Sequence, residues 1–135
     1  MNTSTAPYAL VVDDDPMILM HACDILEEAG FRFYEAGTGA EAIEVLRQHG
    51  DSVTLLFSDV EMPGEMDGFA LARHVDAEWP HIEIVISSGR INPMPGDMPE
   101  KATFIGKPFD SQTVHKHLAM TLPDGKKPEQ LRQAV

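Results

Sequence analysis

Five polar residues, far apart in the chain, each follow a short apolar run. Asp13 and Asp14 come after Tyr8 to Val12, Asp59 after Val53 to Ser58, Ser88 after Ile82 to Ser87, and Lys107 after Thr103 to Gly106. Three carboxylates brought together repel, so one must take up a proton or a cation must stand among them. A hard divalent ion with oxygen ligands and retained waters suits such a set, magnesium above all. With that ion and the Lys107 ammonium neutralising the cluster, an ionised Asp59 can attack a phosphoryl group and form an aspartyl phosphate. Ser88 can then donate its hydroxyl to one phosphoryl oxygen, while Lys107 pairs with another as a point charge. Simpler roles exist for single members of the set. Carboxylates are favoured at any helix N-terminus, and a serine can satisfy a strand-end backbone group. It is the combination of Asp13, Asp14, Asp59, Ser88 and Lys107 that points to a site; Asp15 is assigned to capping.

The elements that must position these residues alternate along the chain. Tyr8 to Val12 reads as a strand that stops at the acidic triplet, where Asp15 can N-cap a helix begun by Pro16. Ile18, Ala22, Ile25 and Ala29 recur at helical spacing before Gly30 stops the run. Phe31 to Ala36 reads as a second strand, and Thr38 with Glu41 forms a capping box for a helix that ends at Gly50. Val53 to Ser58 is nearly all apolar, as suits a strand covered on both faces. Phe69, Leu71, Ala72 and Val75 predict a third helix ending near Trp79 and Pro80, and Ile82 to Ser87 a fourth strand. Asn92 to Pro99 carries three prolines and a glycine, which leaves a turn or two of helix at most. Thr103 to Gly106 is a fifth strand, and the last helix runs from Asp110 or Ser111 through Leu118 and stops before Pro123. Strands alternating with helices imply a parallel sheet with helices on both faces, whose ligands bind beyond the carboxyl ends of the strands. All five polar residues should meet at that rim.

These residues carry a resemblance. VVDDDP at Val11 to Pro16, LLFSDVEMPGEMDG at Leu55 to Gly68, IVISSG at Ile84 to Gly89 and IGKPF at Ile105 to Phe109 together resemble the response regulator receiver domain of two-component signalling, over about Tyr8 to Leu122. The resemblance implies a flavodoxin-like (CheY-like) α/β fold with five parallel strands in the order 2-1-3-4-5; the fourth helix is expected to be short or irregular. It implies that Asp13 and Asp14 are the acidic pair at the magnesium, Asp14 the more direct ligand, and that Asp59 is the phosphorylation site. Glu61 would offer its backbone carbonyl to the metal. Ser88 stands at the switch hydroxyl position, with Ser87 the other possible register, and Phe104 stands at the aromatic switch position. Lys107 is the family lysine, typically followed by a cis peptide before Pro108. A Glu61–Arg90 ion pair is expected to flank the phosphate. One residue more than usual in MPGEMDG lengthens the loop beside the metal.

Composition narrows the functional classes. The chain has 135 residues, 43% of them hydrophobic, enough for one core and no second folded output domain. Its formal charge of -12 argues against a nucleic-acid partner. A single cysteine, no apolar run long enough to cross a bilayer and no signal-peptide layout predict a cytoplasmic protein with no membrane contact. Residues 1–6 are expected to be an N-terminal tail, 7–122 the receiver domain and 123–135 a loose polar tail. The six histidines lack ligand spacing and are read as surface or packing residues. The expected behaviour is that of a stand-alone signalling domain and not an enzyme, with no catalytic residues beyond its own phosphorylation chemistry. Its partners would be a histidine kinase or histidine phosphotransfer protein and a downstream protein, and it would be a monomer or a phosphorylation-dependent dimer. Two competitors are a phosphorylation-independent pseudo-receiver and a phosphatase resembling the haloacid dehalogenase group. The second is disfavoured because Met17 stands where that group's DxDx(T/V) motif, begun by Asp13 and Asp15, requires Thr or Val.

Overall fold

The structure is a computed structural model and describes residues 6–133. The expected tails at 1–6 and 123–135 therefore lie partly outside the described residues. Five parallel strands, β1 (Tyr8–Val12), β2 (Arg32–Ala36), β3 (Val53–Asp59), β4 (Glu83–Ser88) and β5 (Thr103–Gly106), form one sheet in the order β2-β1-β3-β4-β5. β3 and β4 each reach one residue further than their apolar runs. Val60 N–H donates to Ser87 O and Lys107 N–H to Ser88 O, which continues the ladder. Asp59 and Ser88 thus end strands instead of opening loops, and the sheet holds their backbones.

Side chains alternate across the sheet and divide the core in two. Ala9, Val11, Leu55, Phe57, Val85 and Ile105 face α1 (Pro16–Glu28) and the later helix α4 (Ser111–Thr121). Leu10, Val12, Leu56, Ile84 and Ile86 face α2 (Gly39–His49) and α3 (Gly68–Glu78). The helix boundaries follow their caps. Asp15 accepts from Met17 N–H and Ile18 N–H, and Asp110 accepts from Thr113 N–H. Thr38 caps Glu41 N–H as expected, but the Glu41 carboxylate reaches back to Gly37 N–H at 2.8 Å, one residue before the usual capping-box target. After α1, Gly30 turns at φ +107 while Phe31 N–H donates to Leu26 O, a left-handed helix stop that suits glycine.

Two segments depart from regular expectation. Residues 89–102 hold bends and turns and no helix, consistent with Pro93, Pro95 and Pro99 removing backbone donors. A turn closed by Asp97 N–H to Met94 O, the Asp97 carboxylate on Met94 N–H and Arg73 on Asp97 O holds this loop in its place. Residues 123–133 are docked, not loose. A turn at Asp124–Lys126 leads into α5 (Glu129–Gln133), Leu131 is buried with α1 and α4, and Lys126 pairs with Glu83 at 2.8 Å. Pro128 is buried there too, its Cβ against Gly30. Among the described residues no helix is long and apolar enough to cross a membrane.

Candidate functional site

At the carboxyl end of the sheet, the Lys107 ammonium lies 3.0 Å from Asp13 Oδ2 and 2.9 Å from Asp59 Oδ1. Both carboxylates are buried, their side chains 7% and 8% exposed, and the lysine is 17% exposed. Asp13 is further fixed by Asp15 N–H, which donates to its Oδ1 at 2.9 Å. Asp14 faces solvent, yet one carboxylate oxygen from each of Asp13, Asp14 and Asp59 lies within 4.8 Å of the others. Oxygen donors so spaced, open to water on the Asp14 side, fit a hard divalent cation. The cluster opens into a cleft of about 490 Å³ that Glu61, Gly89 and Arg90 also line.

The electrostatics are unbalanced. Burial and the neighbouring Asp13 charge push Asp59 above the usual carboxylate range, although the Lys107 hydrogen bond pulls the other way. Burial also opposes the Lys107 charge, but there Asp59 and Asp13 win and the amine is raised. The same ion pair therefore over-compensates the ammonium and under-compensates Asp59. Three carboxylates against one ammonium leave room for further positive charge.

Around this centre the other expected residues take definite places. Arg90 Nη2 lies 3.2 Å from Glu61 Oε2 across the mouth of the cleft, both side chains largely in water. Ser88 Oγ accepts from Arg90 N–H at 3.2 Å and Ile91 N–H at 3.0 Å, so in this state it caps the start of the 89–102 loop. Phe104 pairs in register with Ile86 and packs, half-buried, on the α2/α3 side of the sheet. Alternation puts Ser88 on that side as well, and Ser87 on the opposite side with Val85. The Lys107–Pro108 peptide is cis.

Sequence reading had overlooked two features. A Cβ on Gly68 would lie 2.0 Å from Asp59 O, so only glycine lets the start of α3 close over the strand end. The Asp-Gly pair in the motif was the available signal. Ser87 is buried with its hydroxyl unpaired, in register with Asp59, and no pattern within one strand could have revealed that. A larger cavity of about 550 Å³, lined by Gly30, Arg32 and Lys127 among others, lies at the other end of the sheet, where residues 123–133 dock. It holds none of the acidic cluster.

A family model described as the response regulator receiver domain matches residues 9–119. The chain belongs to this family. Among curated proteins, this receiver domain is 33% identical over 126 residues to the sensor kinase CckA of Brucella abortus, covering 90% of the chain and 13% of that protein. It is 41% identical over 69 residues to the two-component response regulator ARR11 of Arabidopsis thaliana, covering 51% of the chain and again 13% of the relative. The chain thus spans only a small part of these relatives. Among solved structures, the receiver domain of hybrid histidine kinase CckA superposes with a TM-score of 0.68 at 26% identity, covering 86% of this chain and 99% of that one. The chemotaxis response regulator CheY4 of Vibrio cholerae superposes with a TM-score of 0.74 at 26% identity, covering 87% and 100%. The fold expected of the receiver, with its sheet order and its irregular region between β4 and β5, is the fold found.

Proposed function

We propose that this receiver domain accepts a phosphoryl group on Asp59 from a histidine kinase or a histidine phosphotransfer protein, and that the modification changes a protein-binding surface around β4 and β5. The observation that carries the reading is the Lys107 ammonium held by both Asp13 and Asp59 beside a third acid at metal-ligand spacing. Asp13, Asp14 and Asp59, with the Glu61 carbonyl, are the proposed holders of a magnesium ion, which when bound supplies charge neutralisation for the acids and the incoming phosphoryl oxygens.

The remaining steps belong to the chain's own residues. Asp59 presents a carboxylate oxygen to phosphorus at the end of a strand that keeps it from swinging away. Lys107 shifts toward a phosphoryl oxygen, and Ser88 donates its hydroxyl to another. Phe104, half-buried beside Ile86 of the strand that ends at Ser88, repacks with the Ser88 movement and alters the surface offered to a downstream protein. The domain acts as a monomer or as a phosphorylation-dependent dimer. It makes no contact with nucleic acid, given the chain's formal charge of -12.

Incubation with acetyl phosphate and magnesium, followed by intact mass, tests the reading. Wild type should gain one phosphoryl group and Asp59→Asn none. Equal labelling of both, or labelling of neither, defeats it.

A further inference from the structure

Directly beside Asp59 lies a hydroxyl without a partner. Ser87 is 1% exposed, and its Oγ is the one buried side-chain polar atom among the described residues that lacks a hydrogen bond. Such a group carries a desolvation penalty that nothing in this state offsets, and its persistence calls for a reason.

The sheet fixes where this hydroxyl sits. The ladder pairs Ser87 with Asp59 on β3 and with Ile105 on β5. Phe57, Val85 and Ile105 all belong to the core beneath α1 and α4. Two-residue alternation therefore brings Asp59, Ser87 and Lys107 out on that same face. Neighbouring strands are about 4.8 Å apart, so a Ser87 rotamer turned toward β3 would point its hydroxyl at the Asp59 carboxylate. In the present state Asp59 Oδ1 already accepts from Lys107.

We propose that Ser87 is a hydrogen-bond donor to the Asp59 carboxylate, engaged when a phosphoryl group on one oxygen draws Lys107 off the other, and that it accelerates loss of that phosphoryl group. The inference rests on Asp59 being phosphorylated. In hydrolysis a water oxygen bonds to phosphorus, the bond between phosphorus and the Asp59 oxygen breaks, and its electron pair returns to the carboxylate; the water's protons leave with the phosphate and solvent. Ser87 keeps its own proton. It supplies a hydrogen bond to the leaving carboxylate, where negative charge gathers in a loose transition state. This role is separate from that of Ser88, which faces the other side of the sheet and would meet the phosphoryl oxygens.

The test compares wild type with Ser87→Ala and Ser87→Thr. Each protein is loaded with acetyl phosphate and magnesium, desalted, and followed by intact mass as the phosphoryl group is lost. Ser87→Ala should lose it roughly three- to tenfold more slowly, the worth of one transition-state hydrogen bond. Ser87→Thr, which keeps the hydroxyl, should decay near the wild-type rate. Unphosphorylated Ser87→Ala should melt no lower than wild type, since it deletes an unpaired buried group. Decay of Ser87→Ala within about twofold of wild type, or faster, overturns the inference; so does a lowered melting point with decay unchanged, which would mark Ser87 as packing only. Failure of wild type to gain phosphoryl mass would remove the functional reading itself, and this inference with it.

Discussion

Replacing Asp59 by asparagine should stabilise the metal-free protein. Carboxylate oxygens of Asp13 and Asp59 lie within 4.8 Å, where unit charges at an effective dielectric near 20 repel by roughly 3.5 kcal/mol. Lys107, at 2.9 Å, attracts Asp59 by roughly 6 kcal/mol on the same scale. Asp14 adds a weaker repulsion through solvent, and desolvation of a carboxylate this buried costs several kcal/mol more. The balance disfavours the ionised form, in line with the direction in which burial and Asp13 shift this group. Asparagine removes the charge and keeps an oxygen for the Lys107 hydrogen bond. In chelator, Asp59→Asn should therefore be about 1–2 kcal/mol more stable than wild type, a rise of several degrees in melting temperature. Magnesium at ten times its dissociation constant should then stabilise wild type by about 1.4 kcal/mol and close the gap, since the variant has lost a ligand. Lys107→Met should act in the opposite sense, costing about 3–5 kcal/mol by leaving two buried carboxylates unpaired. Thermal unfolding in chelator and across a magnesium series measures all three. The charge accounting fails if Asp59→Asn melts below wild type without metal, or if magnesium raises both equally.

Three further outcomes follow from particular contacts. Arg90→Ala, which removes the Glu61–Arg90 ion pair at the mouth of the cleft, should shorten the lifetime of the phosphorylated form by about two- to fivefold, less so at high salt; an unchanged lifetime would mean that the pair does not limit water entry. Gly68→Ala should cost about 1–3 kcal/mol in urea unfolding, because its Cβ must displace the Asp59 backbone; a midpoint equal to wild type would contradict the close approach. His117, whose Nε2 lies 2.7 Å from Thr103 Oγ1, is lowered from its ordinary value by burial. A depressed histidine contributes stability that is complete above the ordinary pKa near 6.5 and lost as pH falls through the folded value. His117→Gln should flatten the stability profile as pH falls below the ordinary value near 6.5, and an unaltered slope would exclude His117 as its source.

The sequence was most informative where chemistry and chain direction coincide. Asp13, Asp14, Asp59 and Lys107 each close or follow an apolar run, and the rule that parallel sheets gather their strand ends at one rim was enough to place them together. Proline content was likewise enough to expect only a short or irregular helix between β4 and β5, where the structure has bends and turns and no helix. Contacts that depend on register or on long reach were not legible. Ser87 faces Asp59 only because β4 pairs with β3 in one register. The docking of residues 123–133 rests on Leu131 joining the core of α1 and α4 and on Lys126 reaching Glu83, 43 residues back. Histidines without ligand spacing proved to be connectors: His21, His81 and His115 meet the carbonyls of Phe109, Gly50 and Ile25. Cys23 is buried in the core, where burial first and the nearby Glu35 second push its thiol up to about 12.

The missing helix and the position of Ser88 together define how the proposed switch can reach the surface. Ser88 Oγ uses its lone pairs to accept from Arg90 N–H and Ile91 N–H, which leaves its O–H available as a donor. A phosphoryl oxygen on Asp59 can therefore engage Ser88 without releasing the loop that Ser88 caps. Displacement of the hydroxyl would draw residues 90 and 91 with it. In a receiver with a full helix at this point, such a pull would meet a rigid rod; here it meets a loop held by Arg73 and Asp97, with Ile91 and Met94 already exposed. The surface change should accordingly be concentrated between Gly89 and Asp97 and spread little into α4. Amide hydrogen exchange of the phosphorylated and unphosphorylated forms would separate the two cases: altered protection limited to residues 89–104 agrees with a tethered loop, whereas changes centred on α4, with the loop untouched, would mean that the signal leaves the site by another route.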